Sequence, residues 1–203
     1  MRVLLPNYIV GVGGSAGALP AYKALFDSLP PDTGMAFVVV SHIHPEAHSQ
    51  LAQILSRHTE MPAMLATTAM MIARNHVYVI PGDADLHIEN GAFKVVSPRA
   101  KGNVQVDLFF SSLAEAMGVR AIGIVVSGYD GDGTEGCKYI KAKGGTTFAQ
   151  DLSAEVTDMP RSAEVSGHVD FVLPVEEIAK ALTKIGALAR LEERSRGARK
   201  RRD

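Results

Sequence analysis

The stretch Ile9-Val10-Gly11-Val12-Gly13-Gly14-Ser15-Ala16-Gly17 places one serine among glycines, between an apolar run and a helix-like segment. Tyr8 to Val12 reads as a buried strand and Leu19 to Phe26 as the opening of an amphipathic helix, so Ser15 falls at a sharp strand-to-helix turn. Gly13, Gly14 and Gly17 read as positions whose backbone angles a Cβ would forbid. Backbone N–H groups at such a helix start can stabilise an oxyanion. The pattern fits the Gly-x-Ser-x-Gly nucleophile elbow, and it fits an anion-binding glycine loop almost as well.

Working outward, apolar strand-like runs recur at 8–12, 35–40, 77–80, 121–126, 146–149 and 170–173. Helix-like segments fall between them, near 18–29, 47–57, 106–118, 134–143 and 175–192. This alternation predicts a doubly wound α/β fold with a mostly parallel sheet of about six to seven strands, helices on both faces and right-handed crossovers. Leu86-His87-Ile88 and Phe93 to Val96 flank Asn90-Gly91, which signals a small antiparallel hairpin beside the sheet.

The bulk composition bounds the rest. A chain of 203 residues, 46% of them hydrophobic, suits one domain burying roughly 70% of its unfolded surface. No run approaches the ~20 apolar residues of a membrane span and no signal-peptide pattern opens the chain, so a cytoplasmic protein without membrane insertion is expected. The single cysteine, Cys137, excludes an internal disulfide and reads as a helix-face filler. The net charge of −1 conceals an asymmetry, because seven of the last fourteen residues are basic. A domain over 1–193 followed by a basic, disordered tail over 194–203 is expected. Such a tail suits an acidic partner, a membrane surface or nucleic acid, but a solvated end is the simpler reading and no nucleic-acid partner is expected.

In open parallel sheets, ligands bind beyond the carboxyl ends of the strands. Three such loops carry reactive residues: the Ser15 turn, Ser41-His42-Ile43-His44-Pro45, and Ser127-Gly128-Tyr129-Asp130-Gly131-Asp132-Gly133. A serine hydroxyl needs an imidazole to take its proton, and the imidazole needs a carboxylate on its other nitrogen. The order Ser, His, Asp differs from that of the α/β-hydrolases, which sets that fold aside. His42, His44 and His48, with Asp130 or Asp132, leave a metal-dependent hydrolase open. A non-catalytic anion-binding regulatory module built on the same turn is a further alternative. His58, His76, His87 and His168 read as structural.

These motifs, taken together, resemble the catalytic domain of the chemotaxis protein-glutamate methylesterases, the CheB methylesterase domain, over roughly residues 8 to 183. The residues that carry the resemblance are Gly11 to Gly17, Val38-Val39-Val40-Ser41-His42, Tyr78-Val79-Ile80-Pro81-Gly82, Gln105-Val106-Asp107, Ser127 to Gly133, and Ala149-Gln150 through Met159-Pro160-Arg161. The resemblance implies a catalytic triad of Ser15, His42 and Asp132, with oxyanion donors near Ala16 and Tyr129 and no cofactor or metal. It implies hydrolysis of glutamyl methyl esters on the cytoplasmic helices of chemoreceptors, with glutamine deamidation as a related activity. Asp130 stands where the family often has glycine, Ala16 where serine or threonine is common, and Val104-Gln105 where Pro-Ser is usual. No receiver domain precedes Met1, so the chain is expected to be either a stand-alone esterase or one part of a larger product, with a separate receiver or kinase protein as a partner.

Overall fold

The computed structural model describes residues 5–42 and 48–199. The elements run β1 (Ile9–Gly14), α1 (Ala18–Asp27), β2 (Ala36–Ser41), α2 (His48–Leu55), β3 (Ala63–Leu65), β4 (His76–Val79), β5 (Asp85–Glu89), β6 (Ala92–Val96), α3 (Gln105–Met117), β7 (Ala121–Val125), α4 (Thr134–Ala142), β8 (Thr146–Gln150), α5 (Asp158–Val165), β9 (Phe171–Leu173) and α6 (Val175–Arg199). Seven strands pair in the order β3-β4-β2-β1-β7-β8-β9, and every pairing in that sheet is parallel. The expected doubly wound sheet is therefore present. Its chain order reverses between β1 and β7, which makes the end of β1 the switch point where a ligand crevice opens.

Alternation along the strands builds two cores. Val10, Val12, Phe37, Val39, Ile122 and Ile124 face α1, α2 and α6. Ile9, Val38, Val40 and Val125 face α3, α4 and the β5–β6 hairpin. Each fully buried Phe or Ile in these layers contributes roughly 1.5–3 kcal/mol by leaving water. The hairpin turns at Asn90 and Gly91, both with positive φ (54° and 78°), as the two-residue turn requires.

The β1 glycines serve a purpose other than the one read from sequence. Gly13 and Gly14 lie within the strand, and only Gly17 of the three has positive φ, at 69°. A Cβ on Gly13 would stand 2.3 Å from Val106 Cγ1, and one on Gly14 would stand 2.6 Å from Tyr22 Oη. These glycines let α3 and α1 approach the sheet, while Gly17 alone supplies the left-handed turn into α1.

Three elements depart from the sequence reading. The edge strand β3 is three half-buried residues, too short to alternate visibly. The helix α5 forms on a mostly polar segment with Pro160 in its first turn, where proline's missing N–H costs nothing. The last helix passes residue 192 and continues through Arg199, held at Arg190 by a hydrogen bond to the Asp32 carbonyl; residues 200–203 lie outside the described residues. No helix among the described residues is long and apolar enough to cross a membrane.

Candidate active site

Ser15 follows the last residue of β1, and the register that pairs Gly14 with Ser41 puts it beside His42 on the neighbouring strand end. Its turn is clamped from the other side. The Ser15 N–H donates to the Ser127 carbonyl at 2.9 Å, and Ser127 Oγ donates to the Ala16 carbonyl at 2.8 Å while accepting from the Val156 N–H at 2.9 Å. The Ser127 N–H in turn donates to buried Gln150 Oε1 at 3.1 Å. Ser127 is fully buried and joins β7, the Ser15 turn and the 151–157 loop. The sequence reading quoted this serine in a motif without giving it a task.

His42 and Asp132 meet. The His42 N–H donates to the Gly14 carbonyl at 3.3 Å, and its ring Nε2 lies 2.6 Å from Asp132 Oδ2. Both side chains are almost wholly buried. Nδ1 of the same ring is buried and has no partner among the described residues. Among the described residues Ser15 Oγ makes no hydrogen bond, and the structure joins the imidazole to the carboxylate at the strand end next to the Ser15 turn.

Asp132 has further partners. Oδ2 accepts from the Val106 N–H at 2.9 Å, and Oδ1 accepts from the N–H groups of Asp107 and Gly133, each at 2.9 Å. Val106 and Asp107 open α3, whose own N-cap, Val104, has no side-chain oxygen to offer. The carboxylate therefore caps α3 from 25 residues away in sequence, satisfying two of the N–H groups that a helix start leaves orphaned and lying at the positive end of its dipole. The neighbouring helix is capped in the same manner, since Asp107 Oδ1 accepts from the Gly136 N–H of α4 at 2.7 Å. Burial pushes the Asp107 carboxyl up to about 6, and the adjacent Asp132 charge adds to that rise against the Gly136 hydrogen bond.

Asp130 is occupied elsewhere. Its Oδ1 accepts from the Asp132 N–H at 3.0 Å and its Oδ2 from Asn103 Nδ2 at 2.8 Å. Its φ is +69°, a conformation that glycine adopts without cost. Tyr129 beside it is 60% exposed, and the preceding Gly128 packs so closely that a Cβ there would stand 3.0 Å from Ser15 Cβ. Among the described residues the N–H groups of Ala16 and Tyr129 have no acceptor, which leaves both available at the rim of the Ser15 turn.

His44 lies outside the described residues, as does the side chain of His48. Among the described residues no three His, Cys, Asp or Glu side chains group as a metal site. Cys137 is buried, and burial pushes its thiol up to about 12, far from the thiolate a nucleophile needs. His58 pairs with Asp27 at 3.0 Å, and His76 bonds the Arg74 carbonyl at 2.9 Å.

A parallel, doubly wound sheet with a free serine, a buried histidine–aspartate pair and unengaged N–H groups at its switch point defines a hydrolase-type α/β domain. The chain belongs to the CheB methylesterase family, whose model matches residues 10–182. It is 32% identical over 184 residues to a putative protein-glutamate methylesterase/protein-glutamine glutaminase of Leptospira interrogans, a match covering 88% of this chain and 95% of that one. A protein-glutamate methylesterase/protein-glutamine glutaminase of Nitrosospira multiformis is 30% identical over 186 residues, covering 90% of this chain and 52% of that longer protein. The crystal structure of the Thermotoga maritima CheB methylesterase catalytic domain superposes with a TM-score of 0.81 at 28% identity, covering 88% of this chain and 98% of that one. The family read from the motifs is thus the family of the chain.

Proposed function

We propose that this domain hydrolyses methyl esters of glutamate side chains on chemoreceptor-type proteins, and deamidates selected glutamines, with Ser15 as nucleophile, His42 as general base and Asp132 as its orienting acid. The observation that carries the reading is the buried 2.6 Å contact between His42 Nε2 and Asp132 Oδ2, one residue along the register from the Ser15 hydroxyl, which makes no hydrogen bond among the described residues.

The contact also supports a choice of roles for the ring atoms. With Nε2–H donated to Asp132, the nitrogen left to accept a proton is Nδ1, which is buried and unpartnered among the described residues. This inverts the atom usage of the chymotrypsin triad, where Nε2 faces the serine and Nδ1 the acid. Ser15 Oγ attacks the ester carbonyl and Nδ1 takes its proton. The tetrahedral oxyanion is met by the N–H groups of Ala16 and Tyr129, each such donor contributing roughly 3 to 4 kcal/mol. Nδ1 then returns the proton to the departing methoxide, and methanol leaves. Water repeats the sequence on the acyl-enzyme and frees the carboxylate.

The test is methanol release from a methyl-esterified chemoreceptor. Ser15→Ala should lower turnover on the order of a million-fold while the fold persists. A Ser15→Ala protein that still worked near the wild-type rate would end the serine-esterase reading.

A further inference from the structure

One charged side chain beside the Ser15 turn takes no part in the mechanism above. Glu155 is exposed and lies on the loop between β8 and α5. A Cβ on Gly17 would stand 2.8 Å from Glu155 Cβ and 3.1 Å from its Cδ, so the carboxyl group rests against the backbone two residues from the nucleophile. Gly17 and Ser15 line the same cavity. Among the described residues no hydrogen bond or ion pair engages the Glu155 carboxylate. Lys23 on α1, Asp130 on the 127–133 loop, and Asp158 and Arg161 on α5 carry the other charges of the bordering elements, and none of them pairs with it.

The loop is tied to the nucleophile's turn. The Val156 N–H donates to Ser127 Oγ at 2.9 Å, and the Val156 carbonyl accepts from the Gly128 N–H at 3.0 Å. The same Ser127 Oγ donates to the Ala16 carbonyl. On the other side of Glu155, Ala154 is buried and its N–H donates to the Asp151 carbonyl at 3.1 Å. One buried serine therefore fixes both the turn that carries Ser15 and the residue next to Glu155.

Two residues of backbone reach at most about 7 Å, which puts the carboxylate on the order of 10 Å from the reacting carbonyl. Across a wet mouth, one unit charge at that range changes the binding of another by roughly two- to fivefold at low ionic strength. The reaction itself changes charge: the methyl ester and the amide are neutral, and the product is a carboxylate. A fixed negative charge at the mouth thus favours reactant over product, and it sets the sign of charge tolerated beside the ester.

We propose that Glu155 is a specificity-determining residue: its carboxylate admits methyl-glutamate whose neighbours are neutral or cationic, disfavours acidic neighbours, and repels the carboxylate that hydrolysis creates. The proposal rests on Ser15 being the nucleophile.

The experiment measures methanol release by the full chain from three peptides, each with one glutamate γ-methyl ester. They differ only in the two residues flanking it, which are lysines, glutamines or glutamates. At about 0.01 M salt, where screening is slight, kcat/KM should fall from the lysine to the glutamine to the glutamate peptide by at least about twofold at each step. Glu155→Gln, which keeps the shape of the side chain against Gly17, should level the series, and Glu155→Lys should reverse it. At about 1 M salt the wild type should treat the three peptides alike. The hydrolysed glutamine peptide should inhibit Glu155→Gln more strongly than the wild type. A wild type indifferent to the neighbours or faster with glutamates, a series unchanged by Glu155→Gln, or equal product inhibition in the two proteins overturns the proposal. Should Ser15→Ala be inactive while the wild type turns over all three peptides equally, the role of Glu155 alone fails. Methanol release by Ser15→Ala near the wild-type rate brings down the nucleophile assignment as well.

Discussion

Replacing Asp132 by asparagine separates the two carboxylates of the 127–133 loop more sharply than any other substitution. All four groups around Asp132 are donors: His42 Nε2 and the Val106 N–H on Oδ2, and the Asp107 and Gly133 N–H groups on Oδ1. Asparagine offers one acceptor oxygen, so its NH₂ must turn toward two of these donors. If it turns to His42, the imidazole can accept at Nε2 only by carrying its proton on Nδ1, the atom proposed to deprotonate Ser15. If it turns to Asp107 and Gly133, two backbone N–H groups lose their acceptor. In the first arrangement turnover falls by about 10⁴, the loss known for the wrong tautomer in the serine-protease triad. In either arrangement stability falls by about 2–4 kcal/mol, from one or two buried donors left unpaired. Asp130→Asn keeps an acceptor for the Asp132 N–H and disturbs an exposed contact with Asn103; less than tenfold in rate is expected. Methanol release read beside chemical denaturation measures both effects. Asp132→Asn within tenfold of wild type and also unchanged in stability, or a loss in Asp130→Asn equal to that of Asp132→Asn, would refute the assignment.

Two other substitutions test the frame around the site. Asp107 is held near 6 against 3.8 in its ordinary state, mainly by burial. The folded chain therefore retains a proton that the unfolded chain gives up. The resulting stability is complete below about pH 4 and is lost as pH rises through 6. Asp107→Asn, which keeps an acceptor for Gly136, should be more stable than wild type at pH 8 by about 1 kcal/mol, since a half-exposed group feels a screened fraction of the full shift; the advantage should vanish at pH 4, and denaturant midpoints at the two pH values check it. Ser127→Ala strips a donor from the Ala16 carbonyl and an acceptor from the Val156 N–H, so it should cost roughly 2–4 kcal/mol and lower methanol release with the loosened Ser15 turn, as denaturation and kinetics on the same protein would reveal.

The legible parts of the molecule were those set by local pattern. Buried strands such as Ala121–Val125 and Ala36–Ser41 read as continuous apolar runs because helices cover both faces. The Asn90-Gly91 turn carries its own chemistry. The three reactive loops were legible because parallel topology sends every strand's carboxyl end to one edge. What stayed hidden depends on partners distant in the chain. Nothing local tells Asp132 from Asp130 as the histidine's neighbour; the choice rests on Val106, Asp107 and His42 converging on one carboxylate. Gly13 looked like a turn residue because its true constraint, Val106 pressing on the strand, lies 93 positions away. The Ala63–Leu65 edge strand has too few residues for periodicity. The apolar cavity beside Ser15, lined by Leu19, Leu51 and Ile54, is a gap between helices and has no sequence signature.

The exchange of caps between α3 and α4 bears on how related chains should be read. A descendant that had lost its esterase activity would still need an acceptor-rich side chain at 132, because two orphaned N–H groups of α3 depend on it. Keeping that aspartate is consequently a sign of the scaffold more than of the chemistry. Among the described residues Ser15 Oγ supports no helix end and no loop, so under the proposed mechanism only the reaction calls for a hydroxyl there. Among relatives, the serine is the residue whose loss would announce an idle enzyme.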